Sequence, residues 1–112
     1  MKMLGIIAIV AVAFFSLIAL ADVAQATDGQ EVYKAKCAMC HGASGMGYEA
    51  LARALKIEQS QFDLTKPEMK TKSEAELTAT VKAGKGRMPA LGNKLDDADI
   101  KAVVQFIRSL AK

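Results

Sequence analysis

Cys37-Ala38-Met39-Cys40-His41 is the stretch whose reading decides the fold, because these five consecutive residues hold both cysteines and the sole histidine of a 112-residue chain. Two thiols on one short turn can each add to a vinyl group of a haem, and the imidazole that follows is then held against the iron as its proximal ligand. A zinc site needs four ligands, and the chain supplies three residues of that kind here. A thioredoxin-like pair needs a βαβ setting, and the period-2 apolar runs of such a sheet are missing. A disulfide between Cys37 and Cys40 would close a very small loop and leave His41 without a role.

Working outward from this run, the N-terminus carries an export pattern. Lys2 is a short positive region, Leu4 to Ala21 is almost wholly apolar, and Ala24-Gln25-Ala26 has the small-x-small form that precedes a cleavage site. Residues 1–26 therefore read as a signal peptide, and residues 27–112 as one small domain outside the cytoplasmic membrane, in the periplasm. The apolar stretch is also just long enough to span a bilayer, so an uncleaved anchor on the periplasmic face is the alternative. A domain of this size buries only roughly 60–65% of its unfolded surface, so a prosthetic group in its core would be structural as well as functional.

Helical signals account for the rest, and no strand is needed. Asp28 and Glu31 have capping-box spacing, and Gly29, Val32, Tyr33 and Lys36 lead with helical periodicity into Cys37. Ser73 and Glu76 repeat that pattern before a helix of about 11 residues that should stop at Gly84. Asp96 to Asp99 opens a last helix whose Ile100, Val103, Val104, Ile107 and Leu110 form one apolar stripe. Tyr48 to Ile57 is a shorter helix with Leu51, Leu55 and Ala54 as its inward candidates, and residues 58–72 read as loop.

With His41 the only histidine, methionine leads as the second iron ligand. Met39 lies between the cysteines, Met46 stands too near His41 to reach the opposite haem face without a sharp reversal, and Met69 sits in a lysine-rich loop. Met88 lies in Gly84-Lys85-Gly86-Arg87-Met88-Pro89-Ala90, where glycines free the backbone and proline stiffens it. A site with no protein ligand in the sixth position is the remaining possibility.

Over residues 28–111 the chain resembles the small class I cytochromes c of the bacterial periplasm. Gly29 lies eight residues before Cys37 and Tyr33 four before it, where that family places the glycine and aromatic at the crossing of its first and last helices, and Phe106 answers them. The resemblance implies an all-α small cytochrome c fold, with three main helices and a shorter one wrapped around one covalently bound haem c. It also implies that Met88, directly before Pro89, faces His41 across the iron. It further implies a monomeric one-electron carrier between donor and acceptor redox proteins, not an enzyme. The family's proline after the haem-binding histidine, whose neighbourhood supplies a carbonyl to the imidazole, has no counterpart from His41 through Lys66. That leaves the partner of the His41 ring unidentified. Asp63-Leu64-Thr65 resembles a segment that lines the haem in some relatives, and Tyr48 is a candidate for a haem propionate.

Residues 27–112 have a mild positive excess, and Lys82, Lys85, Arg87 and Lys94 surround Met88 with no carboxylate between residues 82 and 95. A positive rim suits an acidic docking face on a redox partner. Nucleic acid is excluded by the want of basic and aromatic interleaving. A haem peroxidase or gas-binding sensor would need an open or labile sixth site, and a membrane-anchored haem subunit of a larger complex would need the leader retained.

Overall fold

A computed structural model describes residues 27–112; the leader reading of residues 1–26 lies outside them. The elements are α1 (Gly29–Lys36), α2 (Ala38–His41), α3 (Glu49–Leu55), α4 (Glu74–Ala83) and α5 (Asp97–Leu110), with 3₁₀ turns at Gln59–Gln61 and Pro67–Thr71. No strand occurs among the described residues, only an isolated bridge between Lys85 and Met88. The fold is therefore all-α, as expected. Its differences are one further helical turn, α2, which carries the cysteine-histidine run, and two 3₁₀ turns inside the segment expected to be loop. None of the described helices is long and apolar enough to cross a membrane.

Helix boundaries follow from local chemistry. Before α4, Ser73 Oγ accepts from the Glu76 amide and the Glu76 carboxylate accepts from the Ser73 amide, completing a capping box. Asp96 accepts from the Asp99 amide at 2.8 Å ahead of α5. Such a cap is worth about 1 kcal/mol. At α1 the expected box forms by half. Asp28 caps the Gln30 amide at 2.9 Å, and the Glu31 carboxylate turns outward to Lys34 at 3.5 Å. An exposed ion pair one turn along the helix competes on even terms with reaching back to the cap.

The packing centres on α5, which lies against both α1 and α4. Val103 and Val104 have no exposed surface, and Ile100 and Ile107 are buried beside them. Two neighbouring positions can both be buried because helices cover α5 on two sides. Each such side chain contributes roughly 1.5–3 kcal/mol relative to exposure. Tyr33, Met69, Leu77, Val81, Leu91 and Leu95 complete this core.

The α1–α5 crossing is close because residue 29 has no side chain. A Cβ there would run into the Ala102 carbonyl oxygen and lie 2.7 Å from its carbon and 3.2 Å from Phe106 Cβ. Beside the contact, the Tyr33 and Phe106 rings pack tilted with centroids 5.1 Å apart, an arrangement favourable beyond the area it buries. Along α3 the inward residue is Ala52, while Ala54 is exposed and Leu51 and Leu55 are half-buried. The expected inward set was rotated by about half a turn at its alanine, since Ala carries too weak a signal to choose between faces.

Candidate haem site

The helix geometry brings the five-residue run together. Cys37 ends α1, its amide bonded to the Tyr33 carbonyl at 2.8 Å, and its own carbonyl accepts from the Cys40 and His41 amides at 3.2 and 3.0 Å. One turn of helix thus sets both thiols and the imidazole at the edge of a single cleft. Met88, Leu55, Phe62, Pro89 and Leu91 also line this cleft. Neither cysteine is in a disulfide, and no metal-binding cluster of three or more His, Cys, Asp or Glu occurs among the described residues. Burial, with Cys40 next to it, pushes the Cys37 thiol up to about 11, so at neutral pH it stays protonated and resists oxidation.

The His41 ring has a fixed orientation. Its Nδ1 lies 2.7 Å from the Phe62 carbonyl oxygen. A carbonyl can only accept, so Nδ1 carries the proton and Nε2 keeps its lone pair for a metal. Phe62 is therefore the partner that the missing proline left unidentified. Sequence reasoning could not find it, because the group that acts is a backbone carbonyl and leaves no mark on residue type.

Three glycines at positive φ, Gly42, Gly45 and Gly47, fold the chain back after His41. Tyr33 donates its hydroxyl to the Gly42 carbonyl at 2.6 Å. Burial, with Cys37 and Tyr48 adding to it, pushes that phenol up to about 12, so it remains a donor throughout the neutral range. A Cβ on Gly47 would sit 2.6 Å from Phe62 Cβ, so this glycine lets the two segments close and brings the carbonyl within reach.

Met88 reaches the cleft on a tight reversal. Lys85 and Met88 exchange both backbone hydrogen bonds, at 3.1 and 2.9 Å, across Gly86 and Arg87. Gly84, at φ 74°, leaves no room for a Cβ, which would meet the Met88 carbonyl oxygen at 2.5 Å. Beyond Pro89 the chain is tied back to α4 by the Leu91 amide on Val81 and the Gly92 amide on Lys82, at 2.9 and 3.2 Å. The other methionines are elsewhere: Met69 is buried in the core, while Met39 and Met46 are exposed. Tyr48 is also exposed, and neither it nor Asp63-Leu64-Thr65 lines the cleft.

The charged rim differs in composition from the one read in sequence. Lys82 pairs with Asp97 at 3.3 Å, a carboxylate that lies just past the interval and returns to it in space. Lys36 joins Arg87 at the edge of the cleft. Sequence distance from Met88 had hidden it, although its position next to Cys37 was a usable signal.

Two thiols and an imidazole on one turn, an apolar cleft, and a thioether opposite in sequence make a donor set that fits a covalently attached haem. Together with the all-α architecture they define a c-type cytochrome. The family model described as cytochrome c oxidase, cbb3-type, subunit III matches residues 24–107. The cytochrome c6 of Picosynechococcus sp. is 35% identical over 112 residues, covering 99% of this chain and 95% of that protein. The cytochrome c6 of Microcystis aeruginosa is 36% identical over 85 residues, covering 76% of this chain and 96% of its own. The cbb3-type cytochrome c oxidase subunit CcoP of Azospirillum brasilense is 33% identical across 80% of this chain, but across only 30% of CcoP. Among solved structures, the KustC0563 c-type cytochrome superposes with a TM-score of 0.65 at 24% identity, over 77% of this chain and all of that one, which bears on the fold. The chain belongs to the small class I monohaem cytochromes c, electron carriers whose cofactor is covalently bound haem c.

Proposed function

We propose that this protein passes single electrons between redox proteins outside the cytoplasmic membrane, with one haem held by Cys37 and Cys40 and its iron bound by His41 and Met88. The observation that carries this reading is the convergence of those four side chains on one cleft. The haem supplies a metal that changes valence by one electron without bonds being made in a substrate. Cys37 and Cys40 fix the group to the chain as thioethers. His41 presents Nε2, its ring held by Phe62. Met88 would supply a thioether to the iron, which would close the site to small molecules and favour the reduced state. Leu55, Phe62, Pro89 and Leu91 exclude water around it.

The test is the spin state of the holoprotein. Low-spin spectra in both oxidation states, with carbon monoxide binding slowly or not at all, are expected. A high-spin form that takes up carbon monoxide or peroxide readily would replace the carrier by a sensor or peroxidase.

Residues 1–26 act in this reading as a cleaved signal peptide, so that the exported monomer begins at Thr27. N-terminal sequencing that instead finds Met1 or Lys2, on protein recovered only with detergent, selects an anchored haem subunit. The family description and the name of CcoP, each an oxidase subunit, are the observations behind a haem subunit of a larger complex. Lys36, Lys85, Arg87 and Lys94 form the positive face that would meet an acidic partner. Its association rate should then fall severalfold as salt shortens the screening length to roughly 8 Å. A rate indifferent to ionic strength counts against the acidic partner.

A further inference from the structure

The Phe62 carbonyl has no proline to aim it; the Phe62 amide is tied back to the Gln59 carbonyl at 2.9 Å, Gly47 packs against its Cβ, and the residues that follow hold it from the other side. Asp63 closes a turn directly after it. One carboxylate oxygen accepts from the Thr65 amide at 2.8 Å and from the Thr65 hydroxyl at 2.6 Å. The Thr65 hydroxyl, chief among several contacts, holds the Asp63 carboxyl below the usual carboxylate range, so the turn keeps its charged acceptor at neutral pH. Thr65 is itself buried.

The same turn is fastened on both sides. The Leu64 amide donates to the Gly45 carbonyl at 2.7 Å, and the Lys112 amide donates to the Thr65 carbonyl at 2.9 Å. Gly45 lies between Leu110 and Thr65, since a Cβ there would be 3.0 Å from Leu110 Cδ1 and 3.4 Å from Thr65 Cγ2. The end of α5, the glycine loop and the Asp63 turn are thus one clasp, and the Phe62 carbonyl leaves it towards His41.

Resting on the assignment of His41 as an iron ligand, we propose that Asp63 and Thr65 are positioning residues: their turn aims the Phe62 carbonyl at His41 Nδ1 and so sets the strength of that ligand. A carbonyl drawn up to Nδ1–H makes the imidazole a stronger donor and favours the oxidised iron. Slackening the turn weakens the donor and favours the reduced iron. The effect is transmitted through a backbone group, so neither Asp63 nor Thr65 needs to touch the cleft.

The experiment measures the reduction potential of the purified holoprotein together with the NMR shift of the His41 Nδ1 proton in the diamagnetic reduced state. In Asp63→Ala the proton should move upfield, and the ratio of oxidised to reduced protein at a fixed poise should fall about tenfold, a positive shift of about 59 mV for one electron. Asp63→Asn, whose amide oxygen can still accept both bonds, should recover most of either change. Thr65→Val removes only the hydroxyl donor and keeps the shape, so it serves where Asp63→Ala yields no holoprotein, and it should move both signals the same way by less. Thr65→Ser should match the parent. A potential and a proton shift unchanged in folded Asp63→Ala or Thr65→Val would overturn the role of the turn. His41 ring protons in the reduced parent that lack the ring-current shifts of a haem ligand would instead overturn the ligand assignment beneath it.

Discussion

Replacing Met88 by alanine is expected to turn a low-spin, closed iron site into a high-spin one that binds carbon monoxide, and to lower the reduction potential by on the order of 0.1 V or more. Axial ligation spans about 0.8 V across haem proteins, and each tenfold loss of preference for the reduced state is about 59 mV. A thioether stabilises ferrous iron, and water or an empty position in its place does not. The sulfur-to-iron charge-transfer band of the ferric protein should vanish with the side chain. The Lys85–Met88 backbone pair and the ties to α4 do not use the methionine side chain, so the loop should survive the change and the effect should be local. Met69→Ala is the control. Its side chain is buried among core residues, so the cavity should cost about 2–5 kcal/mol of stability and lower the melting temperature accordingly, while leaving spectrum and potential near the parent's. A Met88→Ala protein with parental spectrum and potential would remove Met88 from the iron.

Changing Cys37 and Cys40 together to alanine should abolish holoprotein. The parent should carry one haem by mass through acid-acetone extraction, and the double variant none. The loss should extend to the fold, because the apolar contacts that Leu55, Phe62 and Leu91 along the cleft would make with the attached group are lost with it. Anything bound by the native state alone stabilises that state by mass action, and a covalent link makes the stabilisation independent of concentration. The variant should therefore show reduced helical circular dichroism and no cooperative melt, whereas each single cysteine change should keep haem by one thioether. Haem that leaves the parent protein in acid-acetone would refute the attachment.

What could be read from sequence was whatever residue type controls directly. The cysteines and His41 declare themselves by spacing. Ser73, Asp96 and Gly84 mark helix ends because their side chains, or the lack of one, satisfy or free the backbone there. The stripe from Ile100 to Leu110 fixed the face of α5. Gly29, Tyr33 and Phe106 meet where the resemblance placed them.

What escaped was geometry made by backbone atoms or by residues far apart along the chain. The Phe62 carbonyl could have belonged to any residue. Asp97 reaches Lys82 only because α4 and α5 pack together. Ala52 and Ala54 are the same weakly apolar residue, so periodicity has nothing with which to choose between them. The two 3₁₀ turns are short, polar and set by neighbouring contacts, with Pro67 the one local sign.

The crossing of α1 and α5 also has a consequence in time. Gly29 meets Ala102 and Phe106, partners some seventy residues later, a separation of the kind that slows folding. During synthesis the ribosome releases Cys37 and Cys40 well before α5 exists, so nothing in the nascent chain can yet bury Tyr33 or Cys37 as they are buried in the finished domain. Both thiols would therefore stay accessible to haem attachment for as long as the last helix is not in place. A chain cut short before Asp97 would stay in that receptive state, able to be loaded and unable to close.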